Sequence, residues 1–142
     1  MFRVVRVNNE NHPTYQKAMH DMATIIERGF YWKMTGTVDI PQGTPLIAMG
    51  SYGGRGLYLL GISNGDWEHE PDGEAWQYRI KVVWQPVVYD LPAASTEIIG
   101  AMGVDFNVRF GGEYSQVEFR KALDYVLTGE MIDPWQYMQD AA

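Results

Sequence analysis

The chain has 142 residues, 46% of them hydrophobic, and no cysteine, so one domain with its own core is expected, while disulfides and thiolate metal sites are excluded. Its 11 basic and 18 acidic residues give a net charge of −7, which argues against sequence-independent binding through many phosphate contacts. No apolar run approaches the roughly 20 residues of a membrane span. The first seven residues read as a strand and not as a signal peptide, and the lack of cysteine is compatible with a cytoplasmic protein.

Phe2–Val7 alternates as a strand. Asn8–Asn11 is polar and turn-like, and Asn11 with Pro13 forms a helix start. Tyr15, Ala18, Met19, Met22, Ile25 and Ile26 then recur at helical spacing, predicting a helix over Pro13–Arg28 with the methionines in the core. Gly29 ends it, and Phe30-Tyr31-Trp32 follows at once, which places Trp32 at the helix end. Thr35–Pro45 is a loop. Leu46–Met49 and Leu57–Ile62 are apolar strands joined by the glycine-rich hairpin loop Gly50–Gly56. Ser63–Ala75 is polar and reads as irregular. Tyr78, Ile80, Val82 and Trp84 alternate with Arg79, Lys81 and Gln85, giving a half-buried strand with Trp84 in the core. Pro86 interrupts it, and Val87–Leu91 continues after a kink.

Val104, Phe106, Val108 and Phe110 predict a further strand. Ser115 and Glu118 form a capping box for a helix over Gln116–Leu127, stopped by Gly129. Residues 131–142 read as a tail or the start of a linker, leaving 1–130 as the domain. The order β-α-β-β-β-β-α, without βαβ spacing, points to an α+β domain with a curved or closed sheet and helices packed on it.

Catalytic chemistry finds little support. His12, His20 and His69 have no metal-ligand spacing. Gly50–Gly56 lacks the Gly-Lys-Ser/Thr ending of a phosphate loop and does not precede a helix. Glu68, Glu70, Asp72 and Glu74 read as a solvated acidic stretch. Pro71-Asp72 resembles the start of a nuclease motif, but no acid-x-Lys follows, and Arg79-Ile80-Lys81 has arginine where the acid is required. Ser51, Ser63, Ser95 and Ser115 lack a nucleophile elbow. No catalytic, cofactor or metal site is expected.

The tryptophans carry the functional signal. Trp32 and Trp67 fall at expected element edges, where indoles can sandwich a flat ligand such as a nucleobase. Arg55, Arg79, Lys81 and Lys33 lie near the aromatic positions. The Gly50–Gly56 loop is either a flexible hairpin tip or a finger carrying Tyr52 and Arg55 to a nucleic-acid groove.

In order along residues 2–128, these features resemble the YTH and EVE branches of the PUA-like fold. The matching features are the first strand and polar turn Val4–Asn11, a helix followed by Gly29-Phe30-Tyr31-Trp32, and the strands Leu46–Gly50 and Leu57–Ile62. They continue with a loop bearing Trp67, then Trp76, the charged strand Arg79–Trp84, the turn Asp90-Leu91-Pro92 and a final helix. The resemblance implies a PUA-like, strongly curved or barrel-like sheet. It also implies a non-enzymatic reader that flips a modified, methylated base into an aromatic cage of Trp32 and Trp67. Asn8, Asn9 and Asn11 would supply hydrogen bonds.

Lys33 stands where that family has a small hydroxyl residue, which leaves the base's identity open. Ser51 and Tyr52 complete the expected base-binding set, and Arg55, Arg79 and Lys81 the backbone or groove set. The Trp32-Lys33-Met34 spacing and the acidic charge fit EVE-like modules of modification-dependent restriction systems. DNA is therefore the expected polymer, and a nuclease or motor domain the expected fusion or partner. The alternative from another class is an acidic interaction protein or DNA-mimic inhibitor, favoured by the charge and by Glu68–Glu74. A PUA-superfold hydrolase is a third reading, which the lack of a catalytic set disfavours.

Overall fold

A computed structural model describes residues 2–6, 14–33, 40–69, 78–92, 113–114 and 116–137. In chain order the elements are β1 (Phe2–Arg6), α1 (Tyr15–Arg28), β2 (Phe30–Lys33), β3 (Pro45–Tyr52), β4 (Arg55–His69), β5 (Tyr78–Trp84), β6 (Val88–Leu91), β7 (Glu113–Tyr114), α2 (Gln116–Leu127) and β8 (Glu130–Ile132), followed by a 3₁₀ turn at Pro134–Tyr137. The protein is α+β. Its mixed, eight-stranded sheet runs β2-β5-β4-β3-β1-β7, with β6 branching from β4 and carrying β8. β1 and β3 are parallel, and the other ladders are antiparallel. No helix among the described residues is long and apolar enough to cross a membrane.

The strands bury both faces, and strand alternation divides the apolar residues between two cores. Phe2 and Val4 of β1, Ile47 and Met49 of β3, Tyr58 of β4, and Tyr89 and Leu91 of β6 share one core with Ala122 and Val126 of α2. Phe119 of α2 adds an aromatic contact to Phe2 at 4.9 Å between ring centroids. On the opposite face Val5, Leu46, Ala48, Leu57, Leu59, Ile80, Val82, Trp84 and Val88 pack with Ala18, Met19 and Met22 of α1. One helix therefore covers each face.

α1 is delimited by local chemistry. The Thr14 hydroxyl accepts from the Lys17 backbone N–H at 3.0 Å, with Thr14 itself extended. At the other end Gly29 adopts φ 70°, in the left-handed region, and its N–H donates to the Ile25 carbonyl at 3.0 Å. Gly29 then feeds directly into β2, whose ladder to β5 pairs Phe30 with Lys81 and Trp32 with Arg79.

The structure corrects several expectations. Among the described residues the sheet is not closed: β2 and β7 end the strand path and do not pair with one another. Thr14, and not Asn11, caps α1, because Thr14 has both the extended backbone and a side-chain oxygen in reach of an orphan N–H. The β3–β4 loop is shorter than Gly50–Gly56. Only Gly53 and Gly54 form the turn, with φ 55° and 79°, and the strands pair up to Tyr52↔Arg55.

The stretch after Ser63 is strand, not loop. β4 continues to His69 through a bulge between Ser63 and Trp67, where Asn64-Gly65-Asp66 faces β5. Residues 88–91 do not extend β5; they cross to pair with β4 and β8. Past residue 130, β8 pairs with β6 and the 3₁₀ turn packs against α1. The strand expected over Val104–Phe110, Trp76 and the Ser115 cap lies outside the described residues.

Candidate functional site

Trp32 and Trp67 both sit on strands flanking β5, and the register fixes their relation. Trp32 pairs with Arg79 and Arg79 with Glu68, so these three form one row across β2, β5 and β4. Tyr31, Ile80 and Trp67 form the next row. Adjacent rows project from opposite faces. Trp67 and Tyr31 pack on the core beneath α1, in edge-to-face contact at 6.2 Å, with Ile80 between them fully buried. Trp32 belongs to neither core. The expectation that both indoles line one concavity is therefore not met: the pleat turns them apart.

The face bearing Trp32 has its own constellation. Phe30, two residues earlier, shares that face, with its ring centroid 5.6 Å from that of Trp32. The Arg79 guanidinium carbon lies 4.5 Å from the Phe30 ring centroid, a cation–π contact. Arg79 Nη2 is also 3.6 Å from Glu68 Oε1. Lys81, opposite Phe30, is exposed. Among the described residues β2 is the outermost strand on this side. Two aromatic rings, two cations and one carboxylate thus share an edge of the sheet. The rings offer a stacking platform, and the cations can meet an anion.

The remaining candidates are dispersed. Tyr52 packs beneath α1, its ring 6.0 Å from Tyr15. Arg55 does not stand on a loop tip. It opens β4, and its Nε donates to both Asp90 carboxylate oxygens at 2.8 and 3.0 Å. Tyr15 donates its hydroxyl proton to Asp90 Oδ2 at 2.6 Å. Hydrogen bonding to Asp90 raises the Arg55 pKa further above its ordinary value. These contacts join α1, β4 and β6 on the α1 face, well away from the Trp32 row. Lys33 and Ser51 are placed by their backbones in β2 and β3. Asn8, Asn9 and Asn11 lie outside the described residues.

Phe30 was not among the sequence candidates. The alternation Phe30-x-Trp32 beside Arg79-x-Lys81 carries its signal, legible only once Phe30–Lys33 is recognised as strand. The other end of the inner face holds a stacked His69–Tyr78 pair at 4.7 Å.

Burial of the tyrosines has a consequence at high pH. Desolvation pushes the Tyr31 phenol up to about 12, and that of Tyr58 higher still, with a smaller contribution from Tyr125. A raised folded-state pKa gives stability that is complete below the unfolded value near 10 and is lost as pH climbs through the folded value. A phenolate absorbance titration followed together with circular dichroism is expected to show Tyr31 and Tyr58 ionising only as the fold is lost. Ionisation of all nine tyrosines in one step near pH 10, with the fold intact, would contradict this packing.

Comparison of the chain with protein-family models, with curated proteins and with solved structures finds no match.

Proposed function

We propose that this domain is a non-enzymatic nucleic-acid-binding module that stacks an exposed base on Trp32. The observation that carries the reading is the Phe30–Trp32 pair beside Arg79 and Lys81, on a part of the sheet that neither core includes. Stacking of a base on an aromatic ring contributes about 1–3 kcal/mol. It suits a chain of net charge −7, which needs local contacts because its overall field repels phosphate. The likeness to YTH and EVE domains adds that the base is modified, methylated in the first instance, and is presented by DNA after leaving its stack. In this reading Trp32 is the stacking partner and Trp67 a wall of the core beneath it, in place of a two-tryptophan cage. Methylation adds apolar surface worth on the order of 1 kcal/mol when covered by an indole, or about a fivefold preference.

Paired substitutions separate the two tryptophans. Trp32→Ala is expected to weaken binding of a single-stranded oligonucleotide by about 5- to 150-fold, the equivalent of 1–3 kcal/mol, with little change in denaturation midpoint. Trp67→Ala is expected to lower stability by about 3 kcal/mol, as for a partly buried aromatic, while protein that remains folded still binds. The reverse pattern would assign the binding role to the inner face. The acidity of the chain favours a second reading, a docking module for a basic protein, which predicts no binding to any oligonucleotide.

A further inference from the structure

The face that carries Trp32 extends along β5. Arg79, Lys81 and Val83 alternate with the buried Ile80, Val82 and Trp84, so all three project from it. Ile62 of β4 pairs directly with Val83. Both are exposed, Ile62 to 53% and Val83 to 62%. The α2 core reaches only as far as Leu60 on this face of β4. Two large apolar side chains side by side on an open sheet contribute to neither core.

We propose that this strip binds a single strand of nucleic acid running along β5, with one base on Trp32 and another against Ile62 and Val83. The inference rests on the stacking role of Trp32 argued above. Four strand steps lead from the Arg79 row to the Val83 row, a span of about 13 Å. Bases stacked in a duplex lie roughly 3.4 Å apart. Bases seated at the two ends are therefore unstacked from each other, as they are in a single strand and not in a closed duplex. Lys81 projects between the two stations, where the linking phosphate passes, and Arg79 stands beside Trp32 at the first station. Apolar and aromatic stations alternating with cations along a sheet make a sequence-tolerant platform for unpaired bases.

The test uses the whole chain at low salt, with deoxycytidine probes prepared plain and 5-methylated: a mononucleotide, a trinucleotide and a blunt duplex containing the same trinucleotide. The trinucleotide is expected to bind about tenfold or more tighter than either the mononucleotide or the duplex, since a second seated base adds about 1–3 kcal/mol. In an Ile62→Ser/Val83→Ser double variant that gain is expected to fall below about threefold.

Equal affinity for mononucleotide and trinucleotide, preference for the duplex, or an undiminished gain in the double variant would each overturn the proposal. If the mononucleotide binds and Trp32→Ala abolishes that binding, the stacking role survives such a failure. If no probe binds, both readings fall. Should the double variant not fold, the comparison of wild-type affinities for the three probes decides alone.

Discussion

Gly61→Ala is expected to destabilise the protein by about 3 kcal/mol, the upper part of the range for overpacking a core. Gly61 pairs with Trp84 across β4 and β5, and the indole lies over it. A Cβ at Gly61 would stand 2.5 Å from Trp84 Cε3, 2.7 Å from Val82 Cγ1 and 2.9 Å from the Val83 carbonyl oxygen. None of these neighbours yields readily. Trp84 is 6% exposed and Val82 2%, the indole N–H donates to the Phe30 carbonyl at 3.1 Å, and the third contact is backbone. The absent side chain at 61 therefore seats Trp84, and Trp84 in turn ties β5 to the start of β2. Chemical denaturation checks the magnitude, and a loss below about 1 kcal/mol would show that the Trp84 seat is loose. Because β2 carries Phe30 and Trp32, the variant is also expected to perturb the outer aromatic pair.

Arg55→Ala is expected to lower stability by about 2 kcal/mol. Asp90 is a buried carboxylate, with only 3% of its side chain exposed, and Arg55 and Tyr15 hold it. Removing one partner of a fully buried pair costs about 3–5 kcal/mol. The figure is reduced here because 38% of the Arg55 side chain meets solvent, which screens the interaction. The loss should appear in the denaturation midpoint, and a Tyr15→Phe cycle should show non-additive coupling through their shared acceptor. If Arg55→Ala leaves stability unchanged but weakens nucleic-acid binding with a shallower salt dependence, Arg55 acts as a phosphate contact instead.

Much of the architecture was legible from periodicity. The apolar spacing in α1, the alternation in β5 and the burial of Trp84, Met19 and Met22 follow from local pattern, and each is present. The functional residues were harder to place for two physical reasons. Phe30–Lys33 is only four residues long, too short to display alternation, so Trp32 looked like a helix appendage when it is one position in a strand. β4 hides its second half behind Asn64-Gly65-Asp66, residues that elsewhere mark loops but here form a bulge. Both errors concealed a simple consequence of pleating: Trp32 and Trp67 face opposite ways. The Arg55–Asp90 pair joins residues 35 apart in sequence, and neither residue type announces a partner. Sheet closure likewise depends on which edges meet, a long-range property that strand order alone leaves open.

Trp32, half-buried on the outer face, is the proposed stacking surface, and one comparison addresses that role directly. Wild-type and Trp32→Ala proteins of matched stability are titrated at low salt with a panel of oligonucleotides differing in a single modified base. The account predicts that wild-type protein binds at least one member, and that Trp32→Ala weakens this binding by about fivefold or more, the lower end of the stacking range. No binding to any member, or equal binding by both proteins, would contradict it.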